Sequence, residues 1–174
     1  MTVVLVEGPS DARAVEELAR LRGRNLAEEG VRVQPMGGIT NLGRWLLELD
    51  HSGSRVLVLH DAGEAAYVRR AVERAGVGVG LHVCDADLED ELIRALGVPA
   101  VLDVVDAAGD REPWEILTRQ PFHRERPAHA VLRRFMGTTR GRNIRYAGLL
   151  VEAAVELDRV PPPLEALLAA ASET

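Results

Sequence analysis

Carboxylates occur in this chain where apolar runs stop. Glu7 follows VVLV at residues 3–6 directly, and Asp11 comes four residues later in EGPSD. Asp61 follows VLVLH at 56–60, with Glu64 three residues on. Asp87 and Glu89 lie in DADLEDE, residues 85–91, which holds five acids in seven positions. Clustered carboxylates repel one another unless a cation joins them. Hard oxygen donors without a Cys or His cluster suit Mg²⁺ or Mn²⁺ rather than zinc. A plainer explanation covers Asp11, Glu64, Asp87 and Asp90: acids favour helix N-termini through the macrodipole. It does not cover Glu7 and Asp61, each of which ends an apolar strand.

The remaining composition narrows the chemistry. All 21 basic residues are arginine. Without lysine, a P-loop, a Schiff-base enzyme or a response-regulator receiver cannot operate in its usual form. The single cysteine, Cys84, excludes an internal disulfide framework and fits a reducing cytoplasm. No apolar stretch is long enough to cross a membrane and no signal-peptide pattern opens the chain, so the expected location is cytoplasmic. The net charge is −6 but unevenly spread. Residues 119–145 hold eight arginines (119, 124, 126, 133, 134, 140, 142 and 145) against one acid, Glu125. An acidic pole and a basic pole suggest a cation at one and a polyanion at the other, or simply two solvated faces.

The elements that must position these residues are readable in outline. Val3–Val6 is a continuous apolar run, as in a strand covered on both faces. Pro9 opens a helix with Ala12, Val15, Leu18 and Ala19 on one side, and Gly23 ends it. Val31–Met36 predicts a second strand, ended by Gly37-Gly38; Asn41 predicts the cap of a helix to about Leu49. Val56–His60 predicts a third strand, 64–75 a helix, Val77–Cys84 a fourth strand and Asp87–Leu96 a helix ending at Gly97. This alternation predicts an α/β fold, a parallel sheet of about four strands flanked by helices. Ligands of such sheets bind at the carboxyl ends of the strands, where Glu7, Gly37-Gly38, Asp61 and Asp85 all fall. Val101–Val105 reads as a short fifth strand, 110–145 as partly loop, 146–158 as an amphipathic helix, and Pro161–Pro163 as a break before a short last helix.

LVEGPSD at 5–11, GG at 37–38, LVLHDAGE at 57–64 and DLEDEL at 87–92 together resemble a TOPRIM domain. The version they most resemble is that of the overcoming-lysogenization-defect (OLD) family nucleases. The resemblance covers roughly residues 3–97 and implies a Rossmann-like TOPRIM core at 1–98, with an Arg-rich, helical extension at 99–174 packed on it. It implies that Glu7 is a metal ligand or general acid/base, that Asp11 joins the metal site, that Asp61 is the first acid of the DxD motif, and that Asp87 and Glu89 are the late acidic pair. Two metals would then assist phosphodiester hydrolysis.

The sequence departs from that pattern in three places. Gly63 stands where the second DxD acid belongs, with Glu64 as the available substitute. The downstream basic residue, commonly Lys, falls to arginine, with Arg142 as first candidate and Arg145 as second. No GxxxxGK[ST] motif is present, so the expectation is a free-standing module or one working with a separate ATPase subunit.

The expected function is thus a Mg²⁺- or Mn²⁺-dependent nuclease, with Arg124, Arg126, Arg133, Arg134, Arg140 and Arg145 holding a nucleic-acid backbone, DNA before RNA. An oligomer is compatible with this. The alternative is a TOPRIM module that binds metal and nucleic acid without turnover. A phosphatase of the haloacid-dehalogenase type needs DxDx[TV] after its first strand, where this chain has VEGPS. Among smaller features, Gly37-Gly38 reads as a turn or as a phosphate-facing backbone, Trp114 and Phe122 as core or as base-stacking rings, and His60 as structural.

Overall fold

A computed structural model describes residues 1–137, 139 and 141–172. Its sheet has four parallel strands: β1 (Thr2–Val6), β2 (Val31–Pro35), β3 (Arg55–Asp61) and β4 (Val79–Cys84), in the order β2-β1-β3-β4. Val3 to Val6 and Val56 to Leu59 are buried, as expected of central strands covered on both faces. β4 is the edge strand, and Leu81 and Val83 on it are exposed. The chain goes from β1 outward to β2 and then returns across β1 to β3. The topological switch point therefore lies between β1 and β3, where a crevice opens at the strands' carboxyl ends. Glu7 and Asp61 stand at those two ends.

The helices form two layers. On one face, α2 (Leu42–Asp50) and α3 (Ala65–Ala75) cover Val3, Leu5, Val56 and Val58 with Leu42, Leu46 and Val68. On the other, α1 (Pro9–Leu21), α4 (Leu88–Leu96) and α8 (Arg142–Glu156) enclose the larger core around Val4, Val6, Leu57 and Leu59. α5 (Val98–Ala107), α6 (Arg111–Arg119), α7 (Ala128–Gly137) and α9 (Pro162–Ala171) complete that layer, so residues beyond 98 add to the same core. Among the described residues no helix is long and apolar enough to cross a membrane.

α1 and α8 run side by side in parallel register. Gly148 lets them approach: a Cβ there would lie 3.1 Å from the Arg13 guanidinium. Arg13 pairs with Glu17 at 2.7 Å, and Arg20 pairs with the same carboxylate. Glu17 is buried, and Arg20 also lies 3.6 Å from Glu152 on α8. Arg20 holds Glu17 below the usual carboxylate range, whereas desolvation and then the neighbouring Glu17 push Glu152 up.

Four expectations are corrected. Val101–Val105 lies in α5, not in a fifth strand: Gly97 and then Pro99, in its first turn, start a helix that buries Val101 and Val105 one turn apart. Residues 110–145 are mostly helical, because Trp114, Val131, Leu132, Phe135 and Met136 bury against the core. α8 begins at Arg142 rather than at 146. Asn41 stands at the N-cap of α2 as expected, but its side chain makes no capping bond; its Nδ2 donates to the Met36 and Gly37 carbonyls instead.

Candidate metal centre

Each acid is placed by local chain chemistry. Gly37 and Gly38, both at positive φ, turn the chain after β2 and donate their N–H groups to the Glu7 carbonyl oxygen at 3.1 Å each. The glycines are therefore a turn whose amides fix the backbone of Glu7, and the phosphate-facing reading is not the one realised. Gly8 is the N-cap of α1, and its N–H donates to Asp11 Oδ2 at 2.9 Å. Asp61 ends β3, and a 3-10 turn at 62–64 brings Glu64 back beside it. Asp87 is the N-cap of α4, accepting the Asp90 N–H at 2.7 Å.

These segments line one open cleft of about 400 Å³ above the switch point, with Glu7, Asp11, Asp61, Asp87 and Glu89 on its walls and Asn143 from the first turn of α8. Two of these residues, Glu7 and Asp61, form a trio with Glu64, which stands beside the cleft: each offers a carboxylate oxygen, all within 4.8 Å of one another. Asp11, Asp87 and Glu89 belong to the same cleft but not to that trio.

Electrostatics record the crowding. Asp61 is pushed up to about 7, first by burial, then by the charges of Glu64, Asp87, Glu7 and Asp11. Asp11 rises to about 6 through burial, against the lowering effect of the Gly8 N–H. Glu64 and Glu89 are raised as well, again chiefly by desolvation. Glu64 Oε2 is buried with no hydrogen-bond partner. A buried carboxylate oxygen, unpartnered among the described residues and beside two other carboxylates, is a costly arrangement in the absence of a cation. The residues fit a hard divalent ion: every donor is oxygen, and Glu64 takes the place left by Gly63.

The basic residues are distributed differently from the sequence expectation. Arg133 pairs with Asp87 on the cleft rim, and its Nη1 lies 3.9 Å from Asp90. Asp90 is buried, held by His129 Nε2 at 2.6 Å and by Arg94 Nε at 2.8 Å. These contacts clasp α7 onto α4 and answer much of the acidic run. Arg142 instead lies over the Phe135 ring at 4.2 Å, donates to the Phe135 carbonyl and faces a neighbouring cleft with Arg134. Arg145 pairs with Asp110 at 3.0 Å, which Tyr146 also contacts. Arg124 donates to the Arg119 carbonyl, and Arg126 stacks on Phe122 at 3.9 Å. Arg140 lies outside the described residues. Trp114 is core, edge-on to Phe135, whereas Phe122 is exposed. Asn143 was missed from sequence; its only signal was adjacency to Arg142 in GRNIRYA.

A parallel sheet with an acid at the end of its first strand, another at the end of its third and a late acidic pair is a TOPRIM-like arrangement. Residues 1–62 match the family described as overcoming lysogenization defect protein-like, TOPRIM domain. Solved C-terminal regions of two OLD proteins share the fold. That of Xanthomonas campestris pv. campestris superposes with a TM-score of 0.72 at 20% identity, covering 98% of this chain and 94% of its own. That of Burkholderia pseudomallei gives 0.68 at 20% identity, covering 98% and 96%. No curated protein matches the chain in sequence.

Proposed function

We propose that the chain is a Mg²⁺- or Mn²⁺-dependent nuclease, hydrolysing phosphodiesters of nucleic acid at the cleft above β1 and β3. The convergence of Glu7, Asp61 and Glu64 within 4.8 Å carries this reading. A divalent ion held there would supply positive charge to the phosphate oxygens and acidify water. Glu7 is positioned for it through its carbonyl, which the two glycine amides hold. Asp11 keeps Oδ2 on the Gly8 N–H, and without a cation burial raises its carboxyl to about 6. Glu89 and Asp87 extend the donor set, Asp87 sharing its charge with Arg133. Asn143 offers an amide to a bound phosphate. Residues 99–174 act as an extension of the core, and a separate ATPase subunit is part of the proposal, since the resemblance to OLD-family nucleases implies an ATPase partner.

Binding without turnover is the second reading. One observation favours it: among the described residues, no basic side chain lines the acid cleft. The test is cleavage of supercoiled plasmid, single-stranded DNA and RNA in Mg²⁺ and in Mn²⁺, with Glu7→Ala beside the wild type. Metal-dependent nicking lost in the variant supports the nuclease. No cleavage, with a metal-dependent rise in Tm that the variant loses, supports the binding module. If metal affects neither cleavage nor Tm, both readings are refuted.

A further inference from the structure

A second cleft, of about 440 Å³, lies beside the first, on the helical layer. Its walls include Ile116 and Leu117 of α6, Gln120 and His123 from the connection to α7, Arg134 of α7 and Arg142 of α8. No acid lines it among the described residues. Arg134 makes no ion pair with any described residue, unlike Arg133 beside it. His123 is 6% exposed, and its Nδ1 is buried with no hydrogen-bond partner among the described residues. Buried polar nitrogens are normally satisfied, so an orphan one in a cationic cleft points to a ligand atom that completes it. Arginine forks and an imidazole nitrogen suit phosphate oxygens. Ile116, 55% exposed, adds an apolar wall of the kind that lies against a base.

We propose that this cleft binds a nucleotide unit through its phosphate, with Arg134, Gln120 and His123 as donors and the base against Ile116. Arg142 and Asn143 are consecutive in the first turn of α8, one lining each cleft. On the nucleic-acid reading, the nucleotide bound here belongs to the strand that the acid cleft acts on. This deepens the nucleic-acid reading and rests on it for the identity of the strand. The chemistry itself, a phosphate ester bearing a base, is shared by free nucleotides and strands.

The test is read at the His123 ring nitrogens by ¹⁵N NMR, on the whole chain and with EDTA present, so that it does not depend on the acid cleft. The probes are AMP and a short oligonucleotide lacking terminal phosphates. Either probe is expected to move the His123 signals, and the pair distinguishes a terminal phosphate from a backbone one. Arg134→Gln, at an exposed position, should weaken binding about tenfold. A Tm for Arg134→Gln close to the wild type confirms that it folds. Neither probe moving His123, or equal binding by Arg134→Gln, overturns the proposal. Failure of the nuclease assay with His123 still responding refutes catalysis and leaves this site standing.

Discussion

Replacing Asp61 by asparagine should stabilise the metal-free protein. The reasoning starts from the direction of its pKa. A carboxyl whose folded pKa exceeds its ordinary value contributes stability that is full below the ordinary range and is lost as pH rises through the folded pKa. Asp61 lies near 7 against an ordinary 3.8, and Asp11 near 6. Metal-free wild type should therefore lose stability progressively between about pH 4 and pH 7. At about 1.4 kcal/mol for each tenfold change in proton affinity, Asp61 alone sets an upper bound near 4 kcal/mol. Its carboxylate is partly open to solvent, which discounts that figure to about 1–2 kcal/mol. For a domain of this size that corresponds to about 2–8 °C in Tm. Thermal melts in EDTA from about pH 5 to about pH 8 should show Asp61→Asn above the wild type at the alkaline end and converging with it at the acid end. Added Mn²⁺ should reverse the order, raising the wild type and leaving the variant behind. A variant that melts below the wild type in EDTA at about pH 8, or that keeps the full Mn²⁺ response, refutes the idea that these acids are gathered around a cation.

The remaining predictions test neighbouring parts. An added Cβ at Gly63 meets nothing within 4 Å, so Gly63→Asp should fit and raise Mn²⁺ affinity about tenfold by calorimetry, whereas Glu64→Gln should lower it by a similar factor. His129→Ala removes one of the partners of buried Asp90 and should cost about 1–3 kcal/mol in urea unfolding; a surface-like change near zero would refute the clasp. Gly80→Ala would place a Cβ 2.5 Å from Leu57 Cδ2 in the core and should cost about 1–3 kcal/mol by the same measurement.

The sheet was legible because its strands are unbroken apolar runs between turn residues, and the acids at strand ends were legible for the same reason. Val101–Val105 misled because two valines spaced four apart fit either a short strand or one helical face, and the deciding contact is with a core assembled from distant residues. The stretch at 110–145 read as partly loop because its arginines hide the buried positions Trp114, Val131, Leu132, Phe135 and Met136. The same arginines read as one basic surface. Arg133 and Arg145 are in fact paired with Asp87 and Asp110, partners whose proximity depends on tertiary packing, and Arg119 with Glu115 one turn earlier in α6. Glu64 was visible only as a substitute; its turn back toward Asp61 depends on the short 3-10 segment after β3.

The parallel register of α1 and α8 makes these two helices a caliper. Asp11 and Asn143 ride on their first turns, as the tips of the jaws, while the gap between the jaws is set farther along by Gly148 against Arg13 and by Glu17 against Glu152. A methyl group at position 148 would press on the partly exposed Arg13 guanidinium, which can turn aside, and would alter no residue that lines the cleft. The two tips thus share one frame whose contacts lie away from the opening, so the helix pair can vary there while every acid stays in place.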